Sequence, residues 1–218
     1  MNLPGREVVE HVKPRLRGWL HAIGVLLLLA CSPILWVRAH SGAQIGWALC
    51  FVFGVAVMMT TSALFHRITW SPRLRRMWRR ADHSAIFAAI AGSYFGIAGL
   101  TLHGTARVVL LSIVGGGAII GIIIRQVALD APKWVTTIPY VVVGWSAVFF
   151  LPEIYRGGGL AVVILIMLGG LAYTVGAIFY GAKRPRLWPR TFGYHELFHA
   201  CTLVGASLHF AAVAVAMR

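Results

Sequence analysis

The pentapeptide His195-Glu196-Leu197-Phe198-His199 heads an apolar run that continues to Met217. Residues four apart on a helix lie one above the other, so His195 and His199 present two imidazoles on one face, a spacing that suits a metal ion. Two ligands do not make a site. A third imidazole, His66, closes an earlier apolar run, with Ser62 one helical turn before it on the same face. Asp82 opens the next run. Three imidazoles with a water in the fourth position form a tetrahedral, catalytic-type zinc site, and zinc lowers that water's pKa to about 7. Asp82 is then the natural group to hold the water or take its proton.

The same five residues match the H-E-x-x-H pattern of zinc proteases, whose glutamate is the general base. The longer form of that motif needs glycine and histidine where this chain has Thr202 and Gly205, and no aspartate follows Glu196. An intramembrane protease is therefore the weaker reading. His21 and His83 fall at the same membrane depth and serve either as supports for the site or as headgroup contacts. His209 lies ten residues beyond His199, too far for the same ion, while His40 and His103 fall in outer loops and His11 in the amino-terminal tail.

The elements that must position these groups follow from composition. Of 218 residues, 59% are hydrophobic and 12% charged, and the mean hydropathy is +0.78. So much apolar surface does not fit inside a water-soluble core, and the chain is expected to be an all-α, polytopic membrane protein. The net charge of +14 does not indicate nucleic-acid binding, because the basic residues lie between apolar spans instead of on one face. A bilayer core of roughly 30 Å needs about 20 apolar helical residues per crossing. Seven runs meet that need, at about 18–37, 44–66, 82–102, 106–124, 133–151, 159–182 and 195–217. None alternates with the period of two that a membrane β-barrel requires.

Seven spans place alternate connections on opposite sides. With a cytoplasmic amino terminus, the inner set holds Arg6, Lys13, Arg15, Arg17, the six arginines from Arg67 to Arg80, Arg125, Lys133, Lys183, Arg184, Arg186 and Arg190. Arg38, Arg107, Arg156 and Arg218 fall outside, dividing the 20 basic residues 16 to 4. The predicted topology is thus a seven-helix bundle with the amino terminus inside and the carboxyl terminus outside. Trp19, Trp36, Trp47, Trp70, Trp134 and Trp188 fall near span ends as an aromatic belt. The arginines of the 67–80 segment are expected to grip anionic headgroups. Lys13 to Cys31 has the outline of a signal peptide, but its apolar run continues to Val37, so an uncleaved first span is expected. Cys31, Cys50 and Cys201 read as small buried hydrophobes. The glycine clusters at 115–117, 157–159 and 169–170 lack a following Lys-Ser or Lys-Thr and read as close helix contacts in a single domain.

Ser62-Ala63-Leu64-Phe65-His66, Asp82-His83-Ser84-Ala85-Ile86-Phe87 leading to Gly92-Ser93-Tyr94, and His195-Glu196-Leu197-Phe198-His199 with His209 beyond resemble the hemolysin III branch of the progestin and adipoQ receptor superfamily. The resemblance covers essentially the whole chain. It implies a multi-pass protein of the bacterial cell (inner) membrane, with zinc held by His66, His195 and His199 near the cytoplasmic face and Ser62 and Asp82 beside the metal-bound water. It also places the chain beside membrane hydrolases related to alkaline ceramidases. That relation implies membrane lipids as partners and a lipid amide or fatty acid as ligand. In place of the acidic residue and asparagine that bacterial members often carry before the first span, this sequence has Arg17-Gly18-Trp19-Leu20-His21-Ala22. The leading expectation is zinc-dependent hydrolysis of a lipid amide. The alternatives are a membrane-state sensor with structural zinc and, from the family's name, cytolysis.

Overall fold

Lipid supplies no hydrogen-bonding partner for the backbone, so each apolar run satisfies its own amides by coiling into a helix. The computed structural model describes residues 14–128, 133–185, 187–188 and 190–217, with backbone alone for 133–137. Sequence readings placed on Arg6, His11, Lys13, Arg186 and Arg218 lie outside the described residues, as do the side chains of Lys133 and Trp134.

The first span is two helices, α1 (Trp19–Cys31) and α2 (Pro33–Arg38). Pro33 brings no amide hydrogen and crowds the preceding turn, which breaks the helix at Ser32. Helix α3 (Gly42–Arg67) is capped by Ser41, whose hydroxyl accepts the amide of Gln44 at 3.3 Å. Helix α4 runs from Pro72 to Thr101, starting ten residues before the expected span. Its arginine-rich opening is helix instead of loop, because proline suits the first turn and Arg, Leu and Met are good helix formers. Helices α5 (Gly104–Val127) and α6 (Lys133–Gly144) follow, then a 3-10 turn (Ser146–Phe150), α7 (Leu151–Ala182) and α8 (Tyr194–Ala216).

Among the described residues, six helical stretches are long and apolar enough to cross a bilayer, which makes the chain an all-α, multi-pass membrane protein. The expected spans 133–151 and 159–182 appear as one stretch, Ile138–Ala182. The connection between them stays helical, broken only by the 3-10 turn and by Gly159, where φ 78° and ψ 177° leave the helical region in a way glycine tolerates. Contacts trace its path. Tyr140 donates to the His83 carbonyl at 2.9 Å, at the head of the apolar part of α4. Gly157 abuts Thr101 at that helix's other end. Tyr180 then packs on His195 with ring centroids 5.3 Å apart, back at the first end.

Helices α3 and α4 come into close contact at Gly54 and Gly92. A methyl at Gly92 would come within 2.7 Å of the Cys50 carbonyl oxygen, so only hydrogen fits. Outward-facing Leu26, Val37, Phe53, Ile119, Ile120 and Phe149 are exposed, an apolar girdle suited to lipid. Arg67 lies over the Trp19 ring at 4.4 Å, joining the end of α3 to the start of α1. At the opposite end, Arg38 donates to the Ala214 carbonyl at 3.3 Å.

Candidate metal centre

His66 occupies the last turn of α3, and His195 and His199 the first turns of α8. Their ligand nitrogens all lie within 4.8 Å of one another, and the Nε2 atoms of His66 and His195 are 3.1 Å apart. Nitrogens about 2.0–2.1 Å from a tetrahedral ion sit roughly 3.4 Å from each other, so two of the three already have the required separation. His66 and His199 are buried and His195 half-buried. Three imidazole nitrogens converging without sulfur suit a divalent transition metal with one position left open. The triad read from the sequence is therefore brought together at one depth.

Asp82, in the third turn of α4, points at the same place. Its Oδ2 is 3.8 Å from His66 Nε2, and the Ser62 hydroxyl, one turn below His66, is its hydrogen-bonding neighbour. Both candidates for proton handling thus stand beside the imidazoles. His21 from α1 joins them by stacking on His199, with centroids 3.9 Å apart and planes 11° from parallel. It is 2% exposed, and neither ring nitrogen has a partner among the described residues. Its nitrogens fall outside the ligand cluster, so it supports the His199 ring. His83 is turned away, its Nδ1 lying 2.7 Å from the Arg79 carbonyl.

Glu196, the acidic residue of the H-E-x-x-H pattern, is committed elsewhere. One carboxylate oxygen pairs with Arg17 and the other accepts the Gly193 amide at 2.8 Å, capping α8. It is 1% exposed. Arg17 is thus locked to α8 by this pair, with its neighbours Arg15 and Leu16 hydrogen-bonded through their amides to the carbonyls of Arg190 and Thr191.

Below the imidazoles, a chamber of about 270 Å³ extends into the bundle, walled by Met58, Ile86, Ile90, Phe198 and Trp145. His209 lies at its far end, where a smaller space of about 50 Å³ begins. Ten residues of helix separate His209 from His199, roughly 15 Å, so His209 is remote from the ion site. Arg125 escaped the sequence reading. Counted with the loop charges, it is instead 3% exposed and lines the chamber. The only hint in the sequence is that the apolar run of α5 reaches it without a break.

Comparison with known proteins identifies relatives of this chain. A family model described as haemolysin-III related matches residues 9–210. The chain is 30% identical to hemolysin-3 of Bacillus cereus over 196 residues, covering 87% of this chain and 85% of that protein. It is 31% identical to the hemolysin-3 homolog of Bacillus subtilis (strain 168) over 193 residues, 87% of each. A heptahelical transmembrane protein, ADIPOR2, of Oryza sativa subsp. japonica is 27% identical over 187 residues, 78% of this chain and 81% of that protein.

Proposed function

As the chain belongs to the haemolysin-III-related family, within the progestin and adipoQ receptor superfamily, we propose that it is a zinc-dependent membrane hydrolase cleaving an amide bond of a lipid. The observation that carries this reading is the convergence of His66, His195, His199 and Asp82 at the head of a chamber deep enough for an acyl chain. Zinc held by the three imidazoles would supply Lewis acidity and a water of lowered pKa.

The chain's own groups do the rest. Asp82 takes a proton during attack and returns it to the departing amine, and Ser62 fixes the carboxyl for both tasks. His21 keeps the His199 ring in its plane. The apolar walls hold the acyl chain and exclude bulk water.

The proposed topology has seven crossings, a cytoplasmic amino terminus and the centre near the inner face of the bacterial cell membrane. In its favour, the 45 residues of Ile138–Ala182 would span roughly 67 Å as one rod, twice the hydrocarbon thickness. Their contacts run from His83 out to Thr101 and back to His195. The plant relative is named heptahelical.

The test is metal analysis of the purified protein together with fatty-acid release from ceramides and related amides. Release that disappears in His199→Ala and Asp82→Asn, in protein that still folds, supports the hydrolase. Bound zinc without release from any lipid amide would overturn it in favour of a structural ion.

A further inference from the structure

Arg125 stands in the last turn of α5 and is turned into the protein. Its Nε–H finds no hydrogen-bond partner among the described residues. The guanidinium is close enough to Asp82, His83 and Tyr140 to act on each electrostatically. Arg79, exposed on α4, lines the same chamber, so one cation marks its mouth and a second its interior.

The charges do not balance. Asp82 is the only carboxylate among the described residues that line the chamber, and the Arg125 charge acts on it. A divalent ion on the three neutral imidazoles adds two further positive charges. A cation held away from water is costly unless an anion accompanies it, and Asp82 is already shared with Ser62 and His66. A ligand bringing its own negative charge removes that cost. Arginine's planar fork matches a carboxylate with two parallel hydrogen bonds, and the unmatched Nε–H is a donor suited to one of them.

Resting on the hydrolase reading, we infer that Arg125 selects lipid amides with an acidic head, binding an N-acyl amphiphile that carries a carboxylate on its amine side in preference to a neutral one. The amide lies at the imidazoles, the carboxylate at Arg125 and the acyl chain between Met58, Ile86 and Ile90.

N-lauroylglycine and N-lauroylethanolamine share the acyl chain and the amide and differ in a carboxylate against a hydroxyl. Their affinities for the full-length protein, zinc-loaded and metal-free, are measured by calorimetry in nanodiscs of neutral phosphatidylcholine. The acidic probe is expected to bind at least about tenfold more tightly in both metal states, the scale of a charge-assisted hydrogen bond. Arg125→Gln removes the preference by weakening the acidic probe alone, and Arg125→Lys keeps part of it. Equal affinity of the wild-type protein for the two probes, or a preference that survives in Arg125→Gln, overturns the inference. The wild-type comparison decides the matter even where the glutamine variant does not fold. Failure of the hydrolase reading shows separately, as absence of cleavage of both probes.

Discussion

Replacing Glu196 by glutamine separates the two roles its position could hold. In the structure its carboxylate is 1% exposed, paired with Arg17 on one side and capping the Gly193 amide on the other. Glutamine keeps an oxygen for the cap but loses the charge. Breaking a buried ion pair by removing one partner costs about 3–5 kcal/mol. Arg17 keeps a 22% exposed side chain and so retains some water, which brings the expected loss to about 2–3 kcal/mol. For a chain of this size that lowers the melting temperature by roughly 5–10 °C. Zinc content and amide hydrolysis per folded molecule should stay within about threefold of wild type, because no proton passes through this group. Removing a true general base would cost about 10²–10⁴ in rate. The measurements are thermal unfolding in detergent, zinc analysis and fatty-acid release. A hydrolysis rate reduced a hundredfold or more, with zinc and fold intact, would refute the assignment of Asp82 and restore Glu196 as the base. An Arg17→Met, Glu196→Met double variant should recover most of the lost stability, since it leaves no charge stranded.

His66→Ala, His195→Ala and His199→Ala should each lower zinc content at least tenfold at fixed chelator concentration, while Asp82→Asn retains the metal and loses turnover. Metal loss in Asp82→Asn would make that residue a ligand. Gly92→Ala should destabilise by about 1–3 kcal/mol, read as a lower melting temperature, because its methyl meets the Cys50 carbonyl at 2.7 Å; an unchanged melting temperature would contradict that contact. In a variant lacking its native cysteines, Trp188→Cys should label only from the cytoplasm and His103→Cys only from outside. Labelling of both from one side would rule out the proposed topology.

The helices were legible in the sequence because lipid demands long apolar runs, and the triad because runs of fixed length assign each polar residue a depth. His66 and the His195/His199 pair were matched on depth alone, and the structure adds that their side chains face one another. What escaped depended on rotation or on local pairing. Arg125 sits at a span end where solvent is the usual destination, and only the azimuth of α5 sends it inward. Glu196 carried a catalytic pattern, yet Arg17, 179 residues away, claims it. The segment before Asp82 read as a loop from its charge, although its residues are good helix formers.

That last feature has a mechanical outcome. Since Pro72 to Thr101 is one uninterrupted rod, the arginines of its opening turns and Asp82 cannot move independently. Trp70 and Trp78, stacked with centroids 4.8 Å apart, brace the rod's outer end against the close of α3. Asp82 lies 3.8 Å from His66 of the neighbouring helix, so whatever shifts the rod against α3 shifts the carboxylate against the imidazoles.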